Sequence, residues 1–212
     1  MPGQIPAEIW LFRIVHISNI DYILNNGMFT GNHPQADPNY LNIGDPNLID
    51  QRHNYTVKII PPNGYLGEYI PFYFGTLSPM LFKIKTGYGV HQYAQEDIAY
   101  ICCKLDNVIN NCSEWCFTDG HAKATISEFY NNLANLNQVD WTIINERMWT
   151  NTDSDYDRMR RKQAEFLVKD HVPLGCIEGI AVYNERSKLN VEQIIQRLGI
   201  NIPVKVKNNF YY

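Results

Sequence analysis

In the stretch Arg158-Met-Arg-Arg-Lys-Gln-Ala-Glu-Phe-Leu-Val-Lys169 a cationic run meets an apolar one. Arg158, Arg160, Arg161 and Lys162 come first, and Phe166-Leu-Val168 has strand character. Glu165 stands between them. A carboxylate at the lip of a buried strand is costly to desolvate unless cations or hydrogen bonds stabilise it. Here cations are close in sequence, which suits an acid kept ionised beside a polyanionic substrate. The bland alternative is a solvated, salt-bridged side chain.

Three other features carry polar or flat groups in settings that need them. His16 comes near the end of the apolar segment Ile9–Ile17. With no partner ligands at metal spacing, it is suited to orienting a substrate, or is simply a hydrogen-bonded strand histidine. Arg52 lies within a long, Pro- and Asn-rich segment, 30–56. There it could make a bidentate contact to a pyrophosphate, or be an ordinary surface arginine. Tyr69-Ile-Pro-Phe-Tyr-Phe-Gly-Thr-Leu-Ser-Pro-Met-Leu81 places Tyr73 in an aromatic block that could wall a flat heterocycle. The block is equally a core strand running into a capped helix. Arg158, Arg161 and Lys162 could hold nucleic-acid phosphates, with Trp149 or Trp141 stacking bases, or the tryptophans are plain core.

Elements must position these groups. The spacing predicts strands over Ile9–Ile17, Val57–Ile60, the Tyr69 block, Ile98–Leu105, Trp115–Thr118, Phe166–Val168, Pro173–Ile177, Gly179–Tyr183 and Ile202–Val206. The last has lysine alternating with valine, as on a half-exposed edge. Helices are expected over Ile20–Leu24, ended by Asn25-Asn-Gly27, over 128–133, and over Val191–Leu198 before Gly199. Leu48–His53 reads as a helical turn presenting Arg52. The segment from about 118 to 160 is rich in loops and exposed polar side chains, as substrate-recognition segments are.

Composition narrows the class. At 212 residues the chain fits one domain, 1–212, with a sizeable core. A net charge of −4 excludes a generic polyanion binder, so any nucleic-acid contact must be local. Five cysteines without CxxC pairs read as reduced, buried thiols, and no metal is expected. No leader pattern or apolar run of about 18 residues occurs, so the expectation is a cytoplasmic protein without a membrane partner. Phosphate-cradling loops of the GxxxxGK[ST] or GxGxxG type are absent, as are HExxH and GxSxG.

Val15-His-Ile17, the Tyr69–Leu81 block and Arg161-Lys-Gln-Ala-Glu-Phe-Leu-Val168 together resemble the DarT family, over roughly residues 9 to 210. The resemblance implies an α+β ADP-ribosyltransferase fold, a split mixed β-sheet gripping NAD+ as co-substrate in a cleft. It implies a bacterial toxin that transfers ADP-ribose to a base in single-stranded DNA, thymidine in the commoner branch and guanosine in another, and so blocks replication. It also implies a macrodomain antitoxin, DarG, as partner. Glu165 matches the catalytic glutamate, His16 the first-strand histidine at NAD+, and Arg52 a loop arginine serving both binding and catalysis. Tyr73 falls near the nicotinamide side, and 118–160 takes the place of the substrate-recognition loop. Transfer to RNA or protein, or a non-catalytic nucleic-acid-binding module, are the alternatives; an intact Glu165 argues against the last.

Overall fold

A computed structural model describes residues 3–212. The chain forms, in order, β1 (Trp10–His16), α1 (Ile20–Asn26), β2 (Met28–Phe29), α2 (Pro46–Arg52), β3 (Tyr69–Tyr73), α3 (Pro79–Thr86), β4 (Ile98–Lys104), α4 (Leu105–Asn111) and β5 (Trp115–Thr118). There follow β6 (Phe129–Tyr130), α5 (Trp141–Asn145), α6 (Arg158–Lys162), β7 (Glu165–Lys169), β8 (His171–Val172), β9 (Ile177–Val182), α7 (Glu185–Leu198) and β10 (Val204–Val206).

Eight strands make one mixed sheet in the order β10-β9-β4-β1-β3-β7-β5-β6, and β2 and β8 pair apart from it. β10 joins β9 in parallel at the edge, while the other neighbours run antiparallel. The middle of the sheet is split. β1 pairs with β4 along its whole length and β3 with β7 along its whole length, yet β1 and β3 meet at one pair, Phe12 and Tyr73. Arg13 sits at this divergence, and its Nη1 donates to the Pro71 carbonyl at 3.0 Å. That bond satisfies a carbonyl that the missing ladder would otherwise have used.

Alternation along the strands gives the sheet two different faces. One buries Leu11, Val15, Ile70, Phe72, Phe166 and Val168 against Ile20, Ile23 and Leu24 of α1 and Val191 of α7. α7 is well bounded: the Asn184 side chain accepts from Ser187 N, and Gly199 closes it at φ 65°. The opposite face carries two smaller clusters. Leu81 and Ile84 of α3 pack with Tyr100 and Tyr211 in one, and Val57, Leu66, Leu167 and Phe129 meet in the other. A cleft opens between these two clusters.

Several sequence expectations change here. Val57–Ile60 forms no strand; only an isolated bridge joins Thr56 to Tyr65. Two prolines follow at once, and neither offers an N–H for a ladder. The helix expected over 128–133 is the short strand β6, because Phe129 is buried and its pairing with β5 outweighs helix capping. Leu174–Cys176 is a 3₁₀ turn before β9. All five cysteines are buried and free.

Candidate active site

Glu165 is the first residue of β7, opposite Tyr73 on β3, so both side chains face the cleft side of the sheet. The cleft encloses about 450 Å³ and is lined by Arg13, Tyr40, Arg52, Tyr73, His121 and Glu165, among others. Its outer wall comes from the long 30–56 segment. There Asp45 caps α2, accepting from the backbone N–H groups of Asn47 and Leu48, with Pro46 in the first turn. α2 thereby delivers Arg52 from its last turn.

The Glu165 carboxylate is 3% exposed and holds two partners from distant segments. Arg52 Nη1 donates to Oε2 at 2.9 Å. The backbone N–H of Ala122 donates to Oε1 at 2.9 Å. Burial pushes the carboxyl pKa up, but Arg52, His121 and the Ala122 amide outweigh it and hold the group below the ordinary glutamate range. His121 is itself pushed down by burial, which outweighs the pull of Glu165, so the imidazole is neutral near pH 7. Arg52 and the Ala122 amide therefore do most of the work at neutral pH. Arg52 Nη2 is buried with no partner. An unpaired guanidinium N–H beside a desolvated carboxylate is a donor waiting for an acceptor. Burial also pushes the Tyr73 hydroxyl pKa well up, so it stays a neutral donor.

Glu165, Arg52 and Tyr73 are thus brought together. His16 is at the end of β1 and is not among the cleft-lining residues. Its Nδ1 accepts from the Ser18 backbone at 3.1 Å and meets the Ser18 hydroxyl at 2.8 Å, leaving Nε2 to carry the proton. Its ring packs edge-on against Tyr93, 5.2 Å between centroids.

The cationic run behaves differently from its sequence reading. Lys162 is 3% exposed, and its Nζ donates to the Ile144 and Glu146 carbonyls at 2.7 and 2.6 Å. It ties α6 to the end of α5 and offers nothing to a phosphate. Arg161 is ion-paired with Asp140 and Asp155. Arg160 is paired with Asp119 and Asp157. Acids supplied by neighbouring loops neutralise most of this run within the fold. Arg158 donates to the Met148 carbonyl at 2.7 Å and keeps a buried Nε without a partner. Trp149 bonds the Tyr212 hydroxyl through its indole N–H and packs edge-on against Phe82.

His121, the Ala122 amide and Arg13 were not legible as site residues. The sole sequence signal for the first two was the Asp119-Gly120 turn just before them. Among the described residues, no group of three or more His, Cys, Asp or Glu side chains could hold a metal ion, and no helix is long and apolar enough to cross a membrane.

Comparison with known proteins adds to this geometry. The family described as "ssDNA thymidine ADP-ribosyltransferase, DarT" matches residues 12–212. A DNA ADP-ribosyl transferase of Escherichia coli O127:H6 (strain E2348/69 / EPEC) is 34% identical, over 98% of this chain and 95% of the relative. The structure of Thermus sp. 2.9 DarT in complex with ADP-ribosylated ssDNA superposes with a TM-score of 0.91 at 30% identity, over the full length of both chains. The same Thermus protein in complex with NAD+ superposes with a TM-score of 0.84, over 99% of this chain and 100% of that one.

Proposed function

The chain belongs to the DarT family of DNA ADP-ribosyltransferases, and from that premise we propose that it transfers ADP-ribose from NAD+ to a thymidine base in single-stranded DNA. One observation carries the reading. A buried carboxylate, Glu165, is held ionised in the cleft by an arginine that still has an unpaired N–H.

The residues fit NAD+ as co-substrate. NAD+ supplies an electrophilic ribose carbon, which turns positive as nicotinamide departs with the bonding electron pair. Glu165 is already desolvated and ionised there, so its charge needs little reorganisation to stabilise that centre and to accept from a ribose hydroxyl. Arg52 keeps the carboxylate oriented and offers Nη2 to an acceptor on the co-substrate or the base. Tyr73 supplies an aromatic face and a neutral hydroxyl. The incoming base forms the new bond to the ribose carbon and gives up its proton to solvent or a cleft group. His16, outside the lining, has its Nε2–H free to contact the co-substrate from the strand end. Arg158 is the member of the cationic run with capacity left for a DNA phosphate.

We treat residues 1–212 as one catalytic domain, with 118–160 as the segment that meets DNA. A macrodomain antitoxin of the DarG type is the expected partner, and the bacterial cytoplasm, where DNA and NAD+ coexist, the expected site of action. These assignments rest on the family resemblance.

The test is incubation with NAD+ and oligonucleotides that each lack one base, read by mass spectrometry. A single ADP-ribose adduct on thymidine-containing DNA, removed by a macrodomain hydrolase, is the expected product. Modification of guanosine, RNA or protein in its place would overturn the thymidine assignment.

A further inference from the structure

The cleft carboxylate accepts from a backbone amide, and that amide belongs to an irregular loop whose ties set where the amide stands. Residues 119–128 connect β5 to β6 with little regular structure. Yet Ala122 must hold its N–H 2.9 Å from Glu165 Oε1. Beside the loop's own turns and the Thr118 hydroxyl, which donates to the Gly120 carbonyl at 2.6 Å, several of the ties that fix this loop converge on one side chain. Arg160 Nη1 donates to Asp119 Oδ1 at 2.9 Å and to Ser127 Oγ at 3.0 Å, reaching both ends of the loop. Its Nε and Nη2 form a fork on Asp157, at 2.8 and 2.7 Å. Its own carbonyl accepts the His121 N–H at 2.9 Å. Ser127 in turn donates to the His121 carbonyl at 2.8 Å. Four of the five guanidinium N–H groups are therefore used inside the fold, with the side chain 14% exposed.

We infer that Arg160 is a positioning residue for the transfer reaction, clamping the 119–128 loop so that the Ala122 amide stays on Glu165. Arg160 does not touch Glu165 or line the cleft itself, and it reaches the lining through the carbonyl that accepts from His121. Its effect passes through the loop. Gly120 belongs to the same device: a Cβ there would lie 2.3 Å from Arg160 Nη1 and 2.9 Å from its Cγ. Only glycine leaves the guanidinium room to lie across the turn. Lys58 braces the far side, donating to the Thr125 carbonyl at 2.6 Å.

The inference rests on the reading of Glu165 as the group that stabilises the positive ribose. The groups facing that carboxylate are Arg52 from α2, His121 and the Ala122 amide from the loop, Tyr73 from β3 and Cys116 from β5. Removing the amide alone leaves the rest in place. The carboxyl pKa then rises, because a hydrogen bond to its charged form is lost.

The test uses Gly120→Ala and Arg160→Lys, which both keep the positive charge, beside Arg160→Ala and Glu165→Gln. Activity with NAD+ and a thymidine oligonucleotide is followed against pH, and folding by circular dichroism melting. The expected result for Gly120→Ala and Arg160→Lys is a kcat about 10-fold lower and an acid limb moved up by about one pH unit. KM for NAD+ and the salt dependence of oligonucleotide binding should be unchanged. A folded Gly120→Ala or Arg160→Lys enzyme with the wild-type acid limb overturns the inference, as does a loss confined to oligonucleotide KM with a shallower salt slope, the mark of a phosphate contact. An active Glu165→Gln enzyme would instead overturn the role of Glu165.

Discussion

Arg52 commits one guanidinium nitrogen to Glu165 at 2.9 Å and leaves the other, Nη2, buried and unpaired. The arginine thus serves the carboxylate and an absent acceptor at once. Lysine, a point charge with no fork, can do only the first. Arg52→Lys should keep the fold and lower kcat/KM by about 10- to 100-fold, through loss of roughly one to two charge-assisted hydrogen bonds. Arg52→Ala strands a buried carboxylate, and removing one partner of such a pair costs about 3–5 kcal/mol. Melting temperature and steady-state rates, measured together, separate the two.

The pH response of Glu165 follows from its surroundings. Burial opposes ionisation, but Arg52, His121 and the Ala122 amide prevail, so the folded-state pKa lies below the ordinary 4.5. The ionised group therefore adds stability above the range where the unfolded carboxyl titrates, and that stability is lost as pH falls through the lower folded value. Activity should persist down to about pH 4.5 wherever the fold survives, and Glu165→Gln should cost about 100-fold or more in kcat at every pH. A rate profile whose acid limb lies near pH 6 would contradict this.

Lys162 should behave as a structural cation. Burial pushes its pKa down to about 8, against 10.5 for a free lysine. Between those values the unfolded chain binds a proton that the folded chain has released, so this group makes stability rise with pH across that window. Lys162→Met should abolish that rise. It should also lower stability by about 1–3 kcal/mol near pH 7 by stranding the Ile144 and Glu146 carbonyls, while the salt slope of oligonucleotide binding stays unchanged. Chemical denaturation at pH 7 and pH 9.5 reads the first effects and a salt titration the last.

His16 is pushed by burial below its usual pKa, against the pull of Asp97, and so is neutral at pH 7 with the proton on Nε2. His16→Ala should raise KM for NAD+ by about 10-fold, the loss of one hydrogen bond, with kcat little altered. A fall in melting temperature with KM unmoved would assign His16 to the Ser18 turn alone.

Much of the frame was legible because burial has a period. β1, β4, β7 and β9 follow apolar runs, and the stripe over Val191–Leu198 marks the second half of α7, whose first turns from Glu185 are mostly polar. The edge position of β10 was visible in its alternating lysines. Glu165 was legible because an acid on a core strand demands a partner, though the partner's identity was not. The cationic run 158–162 misled for the converse reason. Its anions lie at Asp119, Asp140, Asp155 and Asp157, and two of these come close only through the fold. A run of like charges in sequence says nothing of the counter-charges that loops carry to it. The Ala122 amide was invisible in principle, since any residue has one.

The lone rung between Phe12 and Tyr73 has a mechanical consequence. Four strands lie to either side of it, and between these halves the main chain supplies almost no cross-linking. Tilting one half against the other leaves both ladders whole but works against side-chain bridges such as Arg13 to Pro71 and against the core that Leu11 and Val15 share with Ile70 and Phe72. Glu165, Tyr73 and the Ala122 amide all belong to the β3–β7–β5 side, so under such a tilt the carboxylate and its amide move as one rigid unit while His16 rides on the other half.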